Sequence, residues 1–299
     1  MFSSKKRLDN AYKNAKVIDF DDDSKFILFS DCHRGDNSFA DDFANNRNIY
    51  FHALKHYYDQ GFQYCELGDG DELWENLSFD SILNAHRNVY MLMKLFHKRN
   101  RLHMIWGNHD MVYRNPTYVK KHLSTYFDPK VDENIELFSN ITYHEGLVLK
   151  HCMTGQELFL THGHQADWWN FLFWKWSRFM VRVLWKPLNV MGIADPTSPA
   201  KNYKELIKIE RRTKKWITEN NNLITIVGHT HRPRFPEPGN IAFFNDGSCV
   251  HPRSITGIEI ENGAISLIKW QIATKDDGTL QIVKALLEGP VKLLDYKTE

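Results

Sequence analysis

Five times along this chain a short apolar run of strand-forming residues stops abruptly in a cluster of ionisable or amide side chains. The first is FILFSDCHRGD, residues 26–36, in which Phe26–Phe29 give way without a spacer to Asp31, Cys32, His33, Arg34, Gly35 and Asp36. Four apolar residues bounded by polar ones predict a buried strand. The others are FQYCELGDGDELWE, which runs into Gly68, Asp69, Asp71 and Glu72, and RLHMIWGNHD, which runs into Gly107, Asn108, His109 and Asp110. QELFLTHGHQAD ends in Thr161, His162, Gly163 and His164, and LITIVGHTHRP in Gly228, His229, Thr230 and His231. In open α/β sheets, binding and catalytic groups collect just beyond the carboxyl ends of strands. One Asp-x-His alone is an ordinary solvated turn; five such ends, most beside a glycine that lets the backbone turn or approach closely, describe one shared site.

Helical patterns separate the first three runs. In ADDFANNRNIYFHALKHYYDQ the apolar residues Phe43, Ile49, Ala53, Leu54 and Tyr57 fall near helical spacing, and a second helix is expected over 81–98. Strand, helix, strand, helix, strand predicts a parallel sheet with crossover helices, which puts the three polar ends at one edge. His86, His97, His103, His122 and His144 have no motif around them and read as structural; His33, His109, His162, His229 and His231 do not.

At 299 residues and 42% hydrophobic composition the chain is long and apolar enough for one large α/β domain with an insertion. It has no run of eighteen uncharged apolar residues, and its start, MFSSKKRLDNAYKNAK, lacks a hydrophobic signal core, so a cytoplasmic location is expected. Cys32, Cys65, Cys152 and Cys249 are too scattered for a zinc knuckle or a disulfide frame. Any metal must therefore use oxygen and imidazole donors, and carboxylate, imidazole and amide oxygen together suit manganese, iron or zinc. Two such ions about 3.5–4 Å apart could neutralise the attacking and leaving oxygens of a displacement at phosphorus. A shared carboxylate would set that spacing, and Asp69 is the natural bridge.

The ordered series SDCH, GDGDE, GNHD, THGH and GHTH, spanning residues 30–231, resembles the motif set of the calcineurin-like metallophosphoesterase superfamily. That resemblance implies an α/β fold, a four-layer αββα sandwich with a helical insertion. It implies a hydrolase in which hydroxide held between two divalent ions, manganese first and iron or zinc as alternatives, attacks a phosphoester. It also implies one ion on Asp31, His33, Asp69 and His231, and a second on Asp69, Asn108, His162 and His229. His162 is preferred as the first histidine of the H-G pair; the sequence itself leaves His164 open. By the same resemblance His109 faces the phosphate as acid or charge stabiliser, with Glu72 orienting its ring. Arg34 offers five donors to phosphate oxygens, or alternatively a surface ion pair. GDGDELWE is similar to the corresponding motif of UDP-2,3-diacylglucosamine hydrolases, which cleave a lipid-linked pyrophosphate and carry a helical insertion after the H-G motif. That family has arginine at the place of His109 and leucine at the place of Arg34, so the catalytic reading carries over and the substrate does not.

The insertion is expected over 165–220, dividing a catalytic domain of 1–164 and 221–299. Net charge is +1 overall, yet residues 168–215 hold eleven Lys or Arg against three acids, a local balance of +8. Five of the nine tryptophans fall in WWNFLFWKWSRFMVRVLWK, residues 168–186. On a helix Lys175, Arg178, Arg182 and Lys186 would form one stripe among aromatics, a pattern suited to peripheral contact with an anionic membrane and an amphiphilic substrate. A protein phosphatase or nuclease of the same superfamily, or a non-catalytic scaffold, are the rivals. The basic 201–215 segment and the aromatics are not interleaved, which argues against nucleic acid; no ligand position is lost, which argues against a scaffold.

Overall fold

A computed structural model describes residues 3–167 and 203–296. Two sheets face each other. The seven-stranded sheet has the order β14-β13-β12-β2-β3-β4-β7. Its strands are β2 Phe26–Phe29, β3 Gln63–Leu67, β4 Leu102–Ile105, β7 Tyr143–His144, β12 Ser254–Glu261, β13 Ala264–Thr274 and β14 Leu280–Lys292. The five-stranded sheet has the order β1-β8-β9-β10-β11, made of β1 Lys16–Phe20, β8 Gly146–His151, β9 Glu157–Thr161, β10 Ile224–Val227 and β11 Phe243–Asn245. A separate antiparallel pair, β5 Thr125–Asp128 with β6 Glu133–Glu136, completes the strands among the described residues.

The expected parallel run is present: β2 pairs with β3 and β3 with β4, all parallel. The strands that end in THGH and GHTH, β9 and β10, are parallel to each other but lie in the other sheet. The polar clusters therefore come from two sheets that converge at one edge.

Apolar side chains of both sheets fill the space between them: Phe26, Leu28, Leu67 and Ile105 on one side, Leu147, Leu149, Leu158, Leu160 and Ile226 on the other. Strands buried on both faces lose the polar alternation of a half-exposed strand, which is why these runs are continuously apolar. Outside the larger sheet lie α2 Arg47–Asp59, α3 Phe79–Ala85 and α4 Arg87–Lys98, with Ile27, Phe29, Tyr64 and Met104 of the strands in the same core. Helix α2 buries Ile49, Tyr50, Ala53, Leu54 and Tyr57, a stripe at helical spacing. Outside the smaller sheet lie α1 Ser4–Lys13 and α6 Tyr203–Glu219, which bury Leu8, Trp216 and Ile217 against Val148, Phe159 and Val227. A short helix, α5 Pro116–Leu123, precedes β5. The architecture is the expected α/β sandwich of four layers, helix, sheet, sheet, helix.

The helix expected over 81–98 is two helices, broken at His86. The His86 ring is fully buried and its Nε2 lies 2.8 Å from Asp41 Oδ2. That interaction fixes the backbone at φ −121°, ψ 33°, outside helical values. Of the region expected as an insert, Tyr203–Glu219 is the helix laid on the smaller sheet; the aromatic-basic run 168–186 lies outside the described residues. Among the described residues, no helix is long and apolar enough to cross a membrane.

Candidate metal centre

After β2, β3 and β10 the chain turns sharply, and it does so on the residues expected as ligands. Asp31, His33, Asp69, His229 and His231 all have positive φ, between 48° and 67°. A left-handed backbone costs a non-glycine residue roughly 1–2 kcal/mol, so these turns persist only where surrounding bonds over-determine them. Asp31 N donates to Gly68 O (3.1 Å), His33 N to Asp69 O (2.9 Å), and His229 N to Asp31 Oδ2 (2.8 Å). Glycines permit the close approach. A Cβ on Gly68, at φ +92°, would stand 2.8 Å from both Gly107 N and the His162 ring. One on Gly228 would stand 2.2 Å from Ser30 Oγ.

Within this frame, three donor groups come together: Asp31, His33 and His231; His33, Asp69 and His109; and Asp69, His162 and His229. Asp69 stands between the two ends of the cluster. Its Oδ2 is 3.1 Å from His162 Nε2 and 4.0 Å from His33 Nε2, while Oδ1 accepts from His109 N at 2.7 Å. Asn108 Oδ1 lies 3.3 Å from His162 Nε2, and Asp31 Oδ1 lies 3.1 Å from His231 Nε2. All seven residues expected as ligands are thus brought to one place. His162 joins the donors, whereas the ring of His164 rests against Trp106, centroids 5.3 Å apart.

The donor chemistry fits a cation. His33 Nε2 and His231 Nε2 face each other at 3.3 Å, close enough for one ring to donate to the other, or for both to turn lone pairs toward a cation held between them. Electrostatics agree. Burial pushes Asp31 and Asp69 upward, but the charges of His231 and His162 on the first, and of His162 and His109 on the second, hold both well below the usual carboxylate range. Burial lowers His162, yet Asp69 and Asp31 outweigh it and raise its pKa to about 9. For His164, burial and the neighbouring His162 and His229 act in the same direction, and its pKa falls well below the ordinary value. Such strong mutual perturbation among clustered titratable groups is characteristic of functional sites.

Glu72 holds two rings at once. Its Oε2 lies 2.8 Å from His33 Nδ1 and 2.7 Å from His109 Nδ1, and Oε1 lies 2.8 Å from the latter. Trp74 stacks on His109 with centroids 4.1 Å apart and 20° between planes. Asp110 ties the loops together, accepting from Gly107 N at 2.6 Å and Gly70 N at 2.9 Å.

Arg34 corrects an expectation. It is fully buried behind the ligands and does not face a phosphate: Nη1 and Nη2 donate to the two Glu66 oxygens at 2.7 Å each, and Nε to Asp71 Oδ1 at 2.8 Å. Bidentate pairing with Glu66 and a further bond to Asp71 commit the guanidinium to this buried network. The ion pair read as one alternative is real, and it is buried instead of superficial. Arg34→Ala should lower stability by about 3–5 kcal/mol, because Glu66 and Asp71 would be left as uncompensated buried charges. Urea unfolding checks this, and a midpoint equal to wild type would show that the network carries no such energy.

Two residues near the site escaped sequence reading. Trp74 carries no signal beyond its place in GDGDELWE, and Asp167, whose Oδ2 lies 3.2 Å from His229 Nε2, has no motif of its own. Its only signal is its place five residues after His162, where a 3-10 turn, His164–Ala166, can fold it back.

No protein-family model matches the sequence, and no curated protein matches it. Among solved structures the fold is similar to Vps29 of Chaetomium thermophilum, at 10% identity and a TM-score of 0.37, over 88% of this chain and 96% of that chain. Vps29 of the same organism in complex with a RaPID-derived cyclic peptide is similar at 10% identity and a TM-score of 0.36, over 88% and 95%.

Proposed function

We propose that this chain is a metal-dependent phosphoester hydrolase. The observation that carries the reading is one buried carboxylate, Asp69, set between two groups of donors, each with two imidazoles and no thiolate. Asp31, His33, Asp69 and His231 would hold one ion, and Asp69, Asn108, His162 and His229 the other. Two such ions supply a nucleophile at neutral pH and a clamp on the attacking and leaving oxygens. The chain's own residues do the rest. His109, 21% exposed at the side chain, is reachable by a bound ester and can give a proton to, or stabilise charge on, the departing oxygen. Glu72 and Trp74 fix that ring, so little orientation is left to chance when substrate arrives.

Manganese is the favoured metal, with iron or zinc as alternatives. For the substrate, the aromatic-basic run 168–186 favours an amphiphilic phosphoester or pyrophosphate and peripheral contact with anionic lipid. Elemental analysis of protein purified without chelator should find two ions per chain. A manganese-supplemented panel of nitrophenyl mono- and diesters, a nucleotide, a phosphopeptide and a lipid-linked pyrophosphate in anionic vesicles should show metal-dependent hydrolysis, greatest for the lipid-linked member. A single ion together with silence across the panel would overturn the hydrolase reading. Turnover of the phosphopeptide or nucleotide alone would move the substrate to the phosphatase or nuclease class.

A further inference from the structure

The tetrad expected around the second ion leaves out an acidic side chain that touches one of its members. Asp167 is buried, and its Oδ2 lies 3.2 Å from His229 Nε2. The turn that delivers it is firmly held. Arg7 Nε of α1 donates to Gln165 O at 2.7 Å, and Arg212 Nη1 of α6 donates to Ala166 O at 2.9 Å. Gly163, at φ +105°, supplies the left-handed residue that starts the turn. Arg7 also feels the Asp167 charge, which opposes the lowering of its pKa by burial and by Arg212.

The four histidines do not turn the same nitrogen toward the cluster. In His33 and His162 the nitrogen facing the other donors is Nε2, and the far nitrogen, Nδ1, is engaged outside the cluster, on Glu72 Oε2 and Leu67 O, each at 2.8 Å. His231 likewise presents Nε2. His229 is reversed: its Nε2 is the nitrogen engaged by a carboxylate. Which ring nitrogen binds an ion is set by the hydrogen bond the other one makes, and a carboxylate on the far side also makes the ring a stronger donor.

We propose that Asp167 is a positioning residue for the second ion, accepting the Nε2 proton of His229 so that Nδ1 is the binding nitrogen. The inference rests on the two-ion reading above. It makes the turn after β9 contribute twice to one ion, through His162 as a donor and through Asp167 acting on His229.

The test titrates full-length metal-free wild type, Asp167→Ala, Asp167→Asn and Asp167→Glu with Mn(II), reading bound ion by electron paramagnetic resonance. Zn(II)-loaded protein, 15N-labelled at histidine, reports the His229 tautomer. In Asp167→Ala the second-ion affinity should fall about 10–100-fold with the first ion unchanged, the range seen when such partners are removed. Asp167→Asn, which keeps an acceptor without the charge and preserves shape, should fall less, and Asp167→Glu should recover most of the loss. The wild-type spectrum should show Nε2 protonated and Nδ1 bound. Wild-type affinity for both ions in the alanine and asparagine variants overturns the proposal, as does equal weakening of both ions or a His229 bound through Nε2. Failure of wild type to take a second ion would instead overturn the two-ion reading itself.

Discussion

Asp69→Ala should lose both ions and essentially all metal-dependent turnover. Among the described residues Asp69 is the one carboxylate shared by two of the donor groups, with Oδ2 toward His162 and His33. On the two-ion proposal, removing it would take an anionic ligand from each ion and leave imidazoles facing one another with less negative charge to offset a cation. The backbone also depends on it, because Oδ1 accepts from His109 N at 2.7 Å. Asp69→Asn separates these effects: the amide oxygen can still accept that bond and keep the loop in place while lacking the bridging charge. Elemental analysis with circular dichroism is the measurement. The expected result is a folded asparagine variant with fewer than two ions; two tightly held ions in either variant would remove Asp69 from the bridging role.

His109→Ala should keep its metal and lower kcat by about 10²–10⁴, the range of a positioned acid–base group. Its Nδ1 is held by Glu72 and its face by Trp74, so the ring is fixed for a task other than filling space. The loss should be smaller for a nitrophenyl ester than for an alkyl ester, since a good leaving group needs less protonation. Equal losses on the two substrates would assign His109 to phosphate binding, and a lost ion would make it a ligand. Glu72→Gln is the informative companion. Because Glu72 also holds His33, that variant should weaken the ion on Asp31, His33 and His231 as well as lower kcat, whereas His109→Ala should do only the latter.

Much of this protein is written locally. A buried strand must be apolar on both faces, and the residues just past its end are free of that demand, so Phe26–Phe29 followed by Asp31 and His33 is readable without a partner in view. The parallel order of β2, β3 and β4 follows from the helices between them, since parallel neighbours require a crossover. The residues expected as ligands were legible for the same reason: each lies within four residues of a strand end. What needed the folded chain were the outcomes decided between distant segments. Periodicity reports that β9 and β10 are buried but not which sheet they join, and only packing puts them opposite β2 and β3. Arg34 is adjacent in sequence to a ligand, yet its side chain leaves the site because Glu66 and Asp71 offer it paired carboxylates in a dry interior. His86 interrupts an otherwise continuous helical pattern for Asp41, 45 residues away. Asp167 reaches His229 across 62 residues because Arg7 and Arg212, from two helices far apart in sequence, hold the turn that carries it. Sequence alone determines which residues must be buried and where charge can gather at a strand end; the tertiary structure decides which charges meet, because pairing energy depends on distance and burial that no local pattern encodes.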